Sequence, residues 1–328
     1  MLYFGVDIGG TNIKAAVVGE DGSILCQSSR PTALPRSAEE ICESIADQLN
    51  ALAEECGRGS EIAGAGIGCP GTVDDRTGRV VYANNLHWVD MPLRDELEKR
   101  LHLPVTIGND ANAAAFGEAV AGCGKGADSA VFLTLGTGVG GGVVLNGRLL
   151  TGFTGAASEA GHMVIVENGE PCTCGRRGCF EAYASATALI RMTREAMQAH
   201  PESRMCALVR GHGVTGQTAF AAAAEGDAAA EEVVRTYRHY LAVGIANLIN
   251  IFFPELVGLS GGVANQGETL LKPLREEVAQ QVYGAAYASQ MTRIVSCSLG
   301  YHAGVIGAAM LAKSSGRTLP AKEETGCL

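Results

Sequence analysis

One strand, corner and strand pattern occurs twice in this chain, and few folds accommodate the repeat. Residues 2–8, LYFGVDI, form a short β-type run, the corner Gly9-Gly10-Thr11 follows, and a second strand extends from Ile13 to Val18. This reads as a hairpin turned by glycine. Near position 130 the pattern returns: SAVFLTLG is a strand, Thr137 and Gly138 sit in the corner, and GGGVVLNGRLL supplies the second strand. The halves read as internal duplicates. Between them, helical signals at about Ala38 to Cys56 and Pro92 to Leu101 alternate with strands AGAGIGCP and VTIGND, an α/β layout. A length of 328 residues exceeds one compact core. The expected first domain is residues 1–117, completed by the last apolar helix at about 300–314; the second is 118–299, and 315–328 form a tail.

Composition narrows the function classes. The 44 glycines follow no three-residue period, which excludes collagen, and they cluster between strands, which suggests ligand loops. A net charge of −10 argues against a polyanion-binding surface, so no nucleic-acid partner is expected. The opening MLYFGVDIGG lacks the basic segment and apolar stretch of a secretory signal, and no run reaches the ~20 apolar residues of a membrane span. A soluble, cytoplasmic protein without a membrane partner is expected. The 11 cysteines are odd in number and mostly scattered, which speaks against a disulfide framework; only Cys172, Cys174 and Cys179 cluster.

Backbone N–H groups at a glycine corner can converge on a phosphate, and a following threonine adds a donor. Both corners have this form, and the alternative is a pair of tight hairpins. The first also carries Asp7 at a strand end, a carboxylate that can meet magnesium. A third cluster, Leu259-Ser260-Gly261-Gly262-Val263, follows the apolar run IANLINIFFPELVGL and precedes a helix. It matches neither a Walker nor a Rossmann loop.

Asp110, in Gly108-Asn109-Asp110-Ala111-Asn112, follows a strand and opens an alanine-rich helix. It is either that helix's cap or an acceptor for a substrate hydroxyl proton. His162, Cys172, Cys174 and Cys179 form a set suited to tetrahedral structural zinc; a fortuitous cluster and a redox pair are the alternatives. Glu159 and Glu181 flank this box. They are either solvated or aimed, with His162, at a polyol such as a sugar.

Together D-I-G-G-T-N at 7–12, G-I-G-C-P-G at 66–71, N-D-A-N at 109–112, L-G-T-G-V-G-G-G at 135–142, E-A-G-H at 159–162 and C-T-C-G-R-R-G-C-F-E at 172–181 resemble the ROK family (repressor, open reading frame, kinase). The resemblance implies an actin-like ATPase fold of the ribonuclease H-like, hexokinase-like type, with two α/β domains flanking a cleft that closes around a sugar. It implies ATP as co-substrate, Asp110 as catalytic base, and Asn109, Glu159, His162 and Glu181 as sugar ligands, joined by Asn85 of the ANNLHW loop. Gly9, Gly10, Thr11, Thr137 and Gly138 become phosphate contacts, and Gly261 and Gly262 contact the adenosine side.

The motifs look most like the family's bacterial glucokinase branch, which implies glucose phosphorylated at its 6-hydroxyl by a homodimer. Kinases for allose, mannose, fructose, N-acetylmannosamine or N-acetylglucosamine share most of them. The family also contains repressors, in which a helix-turn-helix domain precedes the first phosphate motif. Here Asp7 lies close to the first residue, so a sugar-sensing regulator is the lesser expectation. One departure is Leu299-Gly300-Tyr301-His302-Ala303-Gly304, where many relatives carry an acid.

Overall fold

A computed structural model describes residues 1–209, 211–287 and 289–317. The chain forms two compact units. The first comprises residues 1–125 and 149–157 and resumes at Tyr301; the second comprises 126–148 and 158–300. The expected tail at 315–328 lies outside the described residues from 318 onward.

The first unit begins with strands β1 (Leu2–Ile8), β2 (Asn12–Gly19) and β3 (Ile24–Pro31), followed by helix α1 (Ala38–Cys56). Ser37 and Glu40 cap α1 reciprocally, satisfying two backbone donors that the first turn leaves open, and Gly57 closes the other end in the left-handed region. Strand β4 (Ile62–Cys69) leads into a small antiparallel sheet of β5 (Thr72–Asp74), β6 (Arg79–Ala83) and β7 (Trp88–Met91). Helix α2 (Leu93–Leu101), strand β8 (Val105–Asn109) and helix α3 (Asp110–Ala121) follow.

In the second unit, strands β9 (Ala130–Leu135), β10 (Val139–Leu145) and β11 (Arg148–Leu149) precede helices α4 (Glu181–Ala184), α5 (Ala186–Ala199), α6 (Arg204–Leu208), α7 (Thr218–Ala224) and α8 (Ala228–Phe252). Strand β12 (Leu256–Ser260), helix α9 (Glu268–Gln281) and strand β13 (Arg293–Ser296) complete it. Helix α10 (Ala303–Ser315) returns to the first unit.

The duplication is visible in the sheets. One runs β3-β2-β1-β4-β8 and the other β11-β10-β9-β12-β13, so each places an antiparallel hairpin beside two parallel strands in the same order. The apolar run 245–259 is divided between two elements rather than forming one strand. Its first part ends α8, Phe253 takes a left-handed φ of 41°, and only Leu256–Ser260 is strand.

Alternation along β1 sorts its two faces. Leu2, Phe4, Val6 and Ile8 join Ile13, Ile41, Ile45 and Leu49 in a buried cluster against α1. Each fully buried aliphatic side chain there stabilises the fold by about 1.5–3 kcal/mol. The opposite face carries Gly5 and receives α10, whose backbone comes close to the strands and to α3 because side chains are missing at the crossings. A Cβ at Gly66 would lie 1.7 Å from Ala308 O, one at Gly117 2.3 Å from Ala303 O, and one at Gly307 1.7 Å from Ala113 O. Among the described residues no helix is long and apolar enough to cross a membrane.

Gly66→Ala should therefore force α10 off β4 and lower stability by about 1–3 kcal/mol, the usual cost of overpacking a core. Gly213→Ala, with no heavy atom within 4 Å of the added carbon, should stay within about 0.5 kcal/mol of the parent. Urea unfolding of both variants checks the pair.

Candidate active site

The first corner is fixed from below. Gly9 N–H donates to Asn12 O at 2.9 Å. Thr32, just past β3, donates its N–H to Thr11 O at 2.8 Å and its hydroxyl to Gly9 O at 2.6 Å. These bonds spend backbone acceptors on the protein side and leave Gly10 and Thr11 exposed. Asn85 lies alongside, since a Cβ at Gly10 would stand 3.9 Å from Asn85 Cβ. Asp7 faces Lys14 across the hairpin, with Nζ 3.3 Å from Oδ2.

Strand β8 hands over to α3 between Asn109 and Asp110. Asn109 is the cap: its Oδ1 accepts from Asn112 N–H at 3.1 Å, while its Nδ2 donates to Gly71 O at 3.0 Å. Asp110 is thereby relieved of capping and is the first helical residue, with one carboxylate oxygen accepting from Ala111 N–H at 2.8 Å. It is half-buried. Beneath it, burial and then the Asp110 charge push the Cys69 thiol well above its usual range.

In the second unit, Gly136 N–H donates to Gly138 O at 3.0 Å, and the corner is pinned to the start of α5 by Ala186 N–H to Gly136 O and Thr187 Oγ1 to Thr137 O, each at 2.8 Å. Parallel pairing of β9 with β12 sets Thr134 opposite Ser260, their hydroxyls 2.9 Å apart. That register brings the third glycine cluster to the same sheet end as the second corner. Gly261 has φ +89°, and a Cβ there would lie 2.4 Å from Leu135 O, so only glycine fits; a Cβ at Gly262 would meet no heavy atom within 4 Å.

His162, Cys172, Cys174 and Cys179 converge, all four ligand atoms within 4.8 Å of one another. Cys172 N–H to Arg176 O at 2.9 Å and Gly175 N–H to Cys172 O at 3.0 Å make the tight reversal that allows short cysteine arms to meet. His162 presents Nδ1 to Cys172 Sγ at 3.7 Å, leaving Nε2 directed elsewhere. The backbone N–H of Arg176 and the neighbouring Cys172 and Cys179 thiols pull Cys174 down to about 6, whereas burial and the Cys172 and Cys174 thiols push Cys179 up to about 12. One imidazole and three cysteine sulfurs drawn this close are the donor set of a tetrahedral divalent metal.

Glu181 has both oxygens engaged. Oε2 accepts from Val139 N–H at 3.0 Å, and Oε1 accepts from Thr173 Oγ1 at 3.2 Å and from the Cys172 thiol at 3.8 Å. The carboxylate thus links the second corner to the metal-ligand loop. Gly138 makes room for it, since a Cβ there would sit 2.1 Å from Glu181 Oε2. Short helix α4, which begins at Glu181, is anchored by the buried Tyr237 hydroxyl donating to Ala184 O at 2.7 Å. Burial pushes the Tyr237 phenol above its ordinary range. Glu159 is exposed at the start of the turn Ala160–His162.

Sequence reasoning missed Thr32, Thr187, Tyr237 and Lys14. The first three act through hydrogen bonds to backbone carbonyls, which no spacing reveals. Lys14 had a signal, because an offset of seven from Asp7 around a tight two-strand hairpin can set the pair directly opposite each other.

The family model described as ROK family matches residues 3–315. The glucokinase of Halalkalibacterium halodurans is 40% identical over 326 residues, 98% of each chain. The crystal structure of a ROK family glucokinase from Streptomyces griseus, in complex with glucose and AMPPNP, is 38% identical with a TM-score of 0.77, covering 96% of this chain and 100% of that one. The xylose repressor of Bacillus subtilis is 29% identical over 307 residues, 92% of this chain and 74% of the repressor. The structural likeness carries the expected fold class, the actin-like, hexokinase-like α/β fold.

The cap assignment separates Asn109 from Asp110 by stability alone. Asn109→Ala should cost about 1 kcal/mol, the usual loss for an N-cap, whereas Asp110→Asn should stay within about 0.5 kcal/mol. Urea unfolding measures both, and the reverse order would make Asp110 the structural member.

Proposed function

The chain belongs to the ROK family, and from that membership we propose that it transfers the γ-phosphoryl group of ATP to the 6-hydroxyl of a hexose, with glucose as the preferred substrate. The observation that carries this reading is Asp110. It is a half-buried carboxylate that follows a strand end and whose neighbour Asn109 has taken over the capping task, a position from which a carboxylate can serve as general base. The glucokinase relatives and the glucose and AMPPNP found in the Streptomyces griseus structure support the substrate pair.

In the proposed reaction the hexose 6-oxygen attacks the γ-phosphorus, its proton passes to Asp110, and the bond to the leaving oxygen breaks to release ADP. Transfer of this kind needs positioning and charge stabilisation more than covalent chemistry. Asn85, Asn109, Glu159, His162 and Glu181 are the hydroxyl ligands in this reading. Glu181 has a hydrogen-bonded frame of its own, which fixes its carboxylate before a sugar arrives. Gly10, Thr11, Thr137 and Gly138 offer N–H and hydroxyl donors to the phosphates, Gly9, whose own N–H is bonded to Asn12 O, lets the phosphates approach the backbone, and Gly261 with Gly262, where an added Cβ would meet no heavy atom within 4 Å, admits the adenosine side. Asp7 would hold magnesium, directly or through water, and magnesium supplies charge neutralisation on the phosphates. His162, Cys172, Cys174 and Cys179 would hold zinc, which supplies a fixed scaffold for the Glu181 loop. The cytoplasm, where ATP and free hexose meet, is the matching compartment.

Asp110→Asn should lower kcat by about 100-fold or more with little change in hexose affinity, because the amide keeps hydrogen bonds but accepts no proton. A coupled ADP-release assay across glucose, allose, mannose, fructose and the two N-acetylhexosamines reads the parent's preference and the variant's loss together. Turnover at the parent level would remove Asp110 from the mechanism. Metal analysis of protein prepared without chelator should find one zinc per chain, and Cys174→Ala should lose that zinc and unfold at lower temperature. Zinc-free protein of undiminished stability would refute the metal assignment.

A further inference from the structure

Lys14, Asp7 and Tyr301 form a cluster that the proposed reaction does not yet use. Lys14 Nζ lies 3.3 Å from Asp7 Oδ2, and these side chains are 35% and 21% exposed. On its other side the ammonium stands 5.3 Å from the centroid of the Tyr301 ring, inside the range of a cation–π contact. Tyr301 itself is 85% exposed. An aromatic ring left in water over the Lys14 ammonium is not placed there by burial, so its position needs another reason.

The surroundings limit where the ammonium can go. Asp7 and Lys14 are direct cross-strand partners one pair below the corner, on the face that receives α10. There Gly304 leaves no space, since a Cβ would meet Asp7 Cγ at 2.9 Å, and His302 at the N-cap makes no side-chain hydrogen bond to the start of α10. Asp7 therefore faces a lysine on one side and the positive end of a helix on another. A nucleotide arriving with magnesium at Asp7 would compete with Lys14 for that carboxylate. Without a second seat, the displaced ammonium would swing into solvent and its charge would be lost to the phosphates.

We propose that Tyr301 is a positioning residue whose ring retains the Lys14 ammonium beside the first glycine corner when the magnesium nucleotide occupies Asp7, so that Lys14 contributes positive charge at the phosphates. The proposal rests on the ATP-dependent reading above. It gives the departure at Leu299–Gly304 a function, because an aromatic face at 301 holds the lysine by its quadrupole and adds no negative charge next to the phosphates.

The test is calorimetric titration of the full chain with MgATP in the absence of hexose, followed by kinetics. Tyr301→Ala should weaken MgATP binding about two- to fivefold, the size of a partly exposed cation–π contact, and raise the KM for MgATP by a similar factor while the KM for hexose stays constant. Tyr301→Phe keeps the ring and should restore the parent affinity. In a Lys14→Met background, itself weakened, Tyr301→Ala should cause no further loss. Because the ring is exposed, melting temperature should not move. Parent-like binding by Tyr301→Ala, a Phe variant as weak as the Ala variant, or an undiminished Tyr301 effect without Lys14 overturns the proposal while leaving the kinase reading intact. A parent chain that binds no MgATP sinks both.

Discussion

Close contact between the backbone of α10 and the elements beneath it is the constraint on which the first unit depends. Gly66 on β4, Gly117 on α3 and Gly307 on α10 each stand where a methyl group would overlap a carbonyl oxygen or carbon. The contact fixes more than the core. Helix α3 opens with Asp110, and the first turn of α10 lies against Asp7, so the candidate base and the candidate magnesium carboxylate are both referenced to one helix. A packing that tolerates no added atom also transmits little slack, which suits a carboxylate whose position decides a rate.

The second unit solves the same problem by hydrogen bonding. Glu181 lies between Val139 N–H, one residue past the corner, and the Thr173 hydroxyl in the metal-ligand loop. Its helix is held from behind by Tyr237. Each of these bonds is ordinary, worth about 1.5–3 kcal/mol at the Glu181 carboxylate and about 1 kcal/mol at the Tyr237 hydroxyl. Their value here is registry: a shift in the cysteine loop must either carry the carboxylate with it or break its bond to the corner.

The parts legible in the sequence were those whose causes are local. Glycine clusters between apolar runs mark both corners, and the helical signal from about Ala38 to Cys56 marks α1. The His162 and cysteine spacing marks the metal-ligand set because short side chains on a tight loop have few other places to go. Where two residues compete for one local task, as Asn109 and Asp110 do, residue type cannot decide, since both are good caps; the outcome rests on Gly71 O accepting from Asn109 Nδ2. The apolar run 245–259 was opaque because burial makes helix and strand look alike, and its division depends on the left-handed Phe253. Least legible were the lone glycines of β4, α3 and α10. In sequence they resemble breakers or loop residues, and their meaning appears only when segments some 200 residues apart meet.

That separation orders the folding of a nascent chain. Once α3 has left the ribosome, the glycine-lined face of β1 and β4 has no cover until residues 303–315 are made. At roughly 5–20 residues per second, about 10–40 s pass in that state. All the strands of the second unit are synthesised within the same interval. The unit that contains the first corner is thus closed last, and its open sheet face is the surface on which a chaperone, or an aggregating neighbour, would act during synthesis.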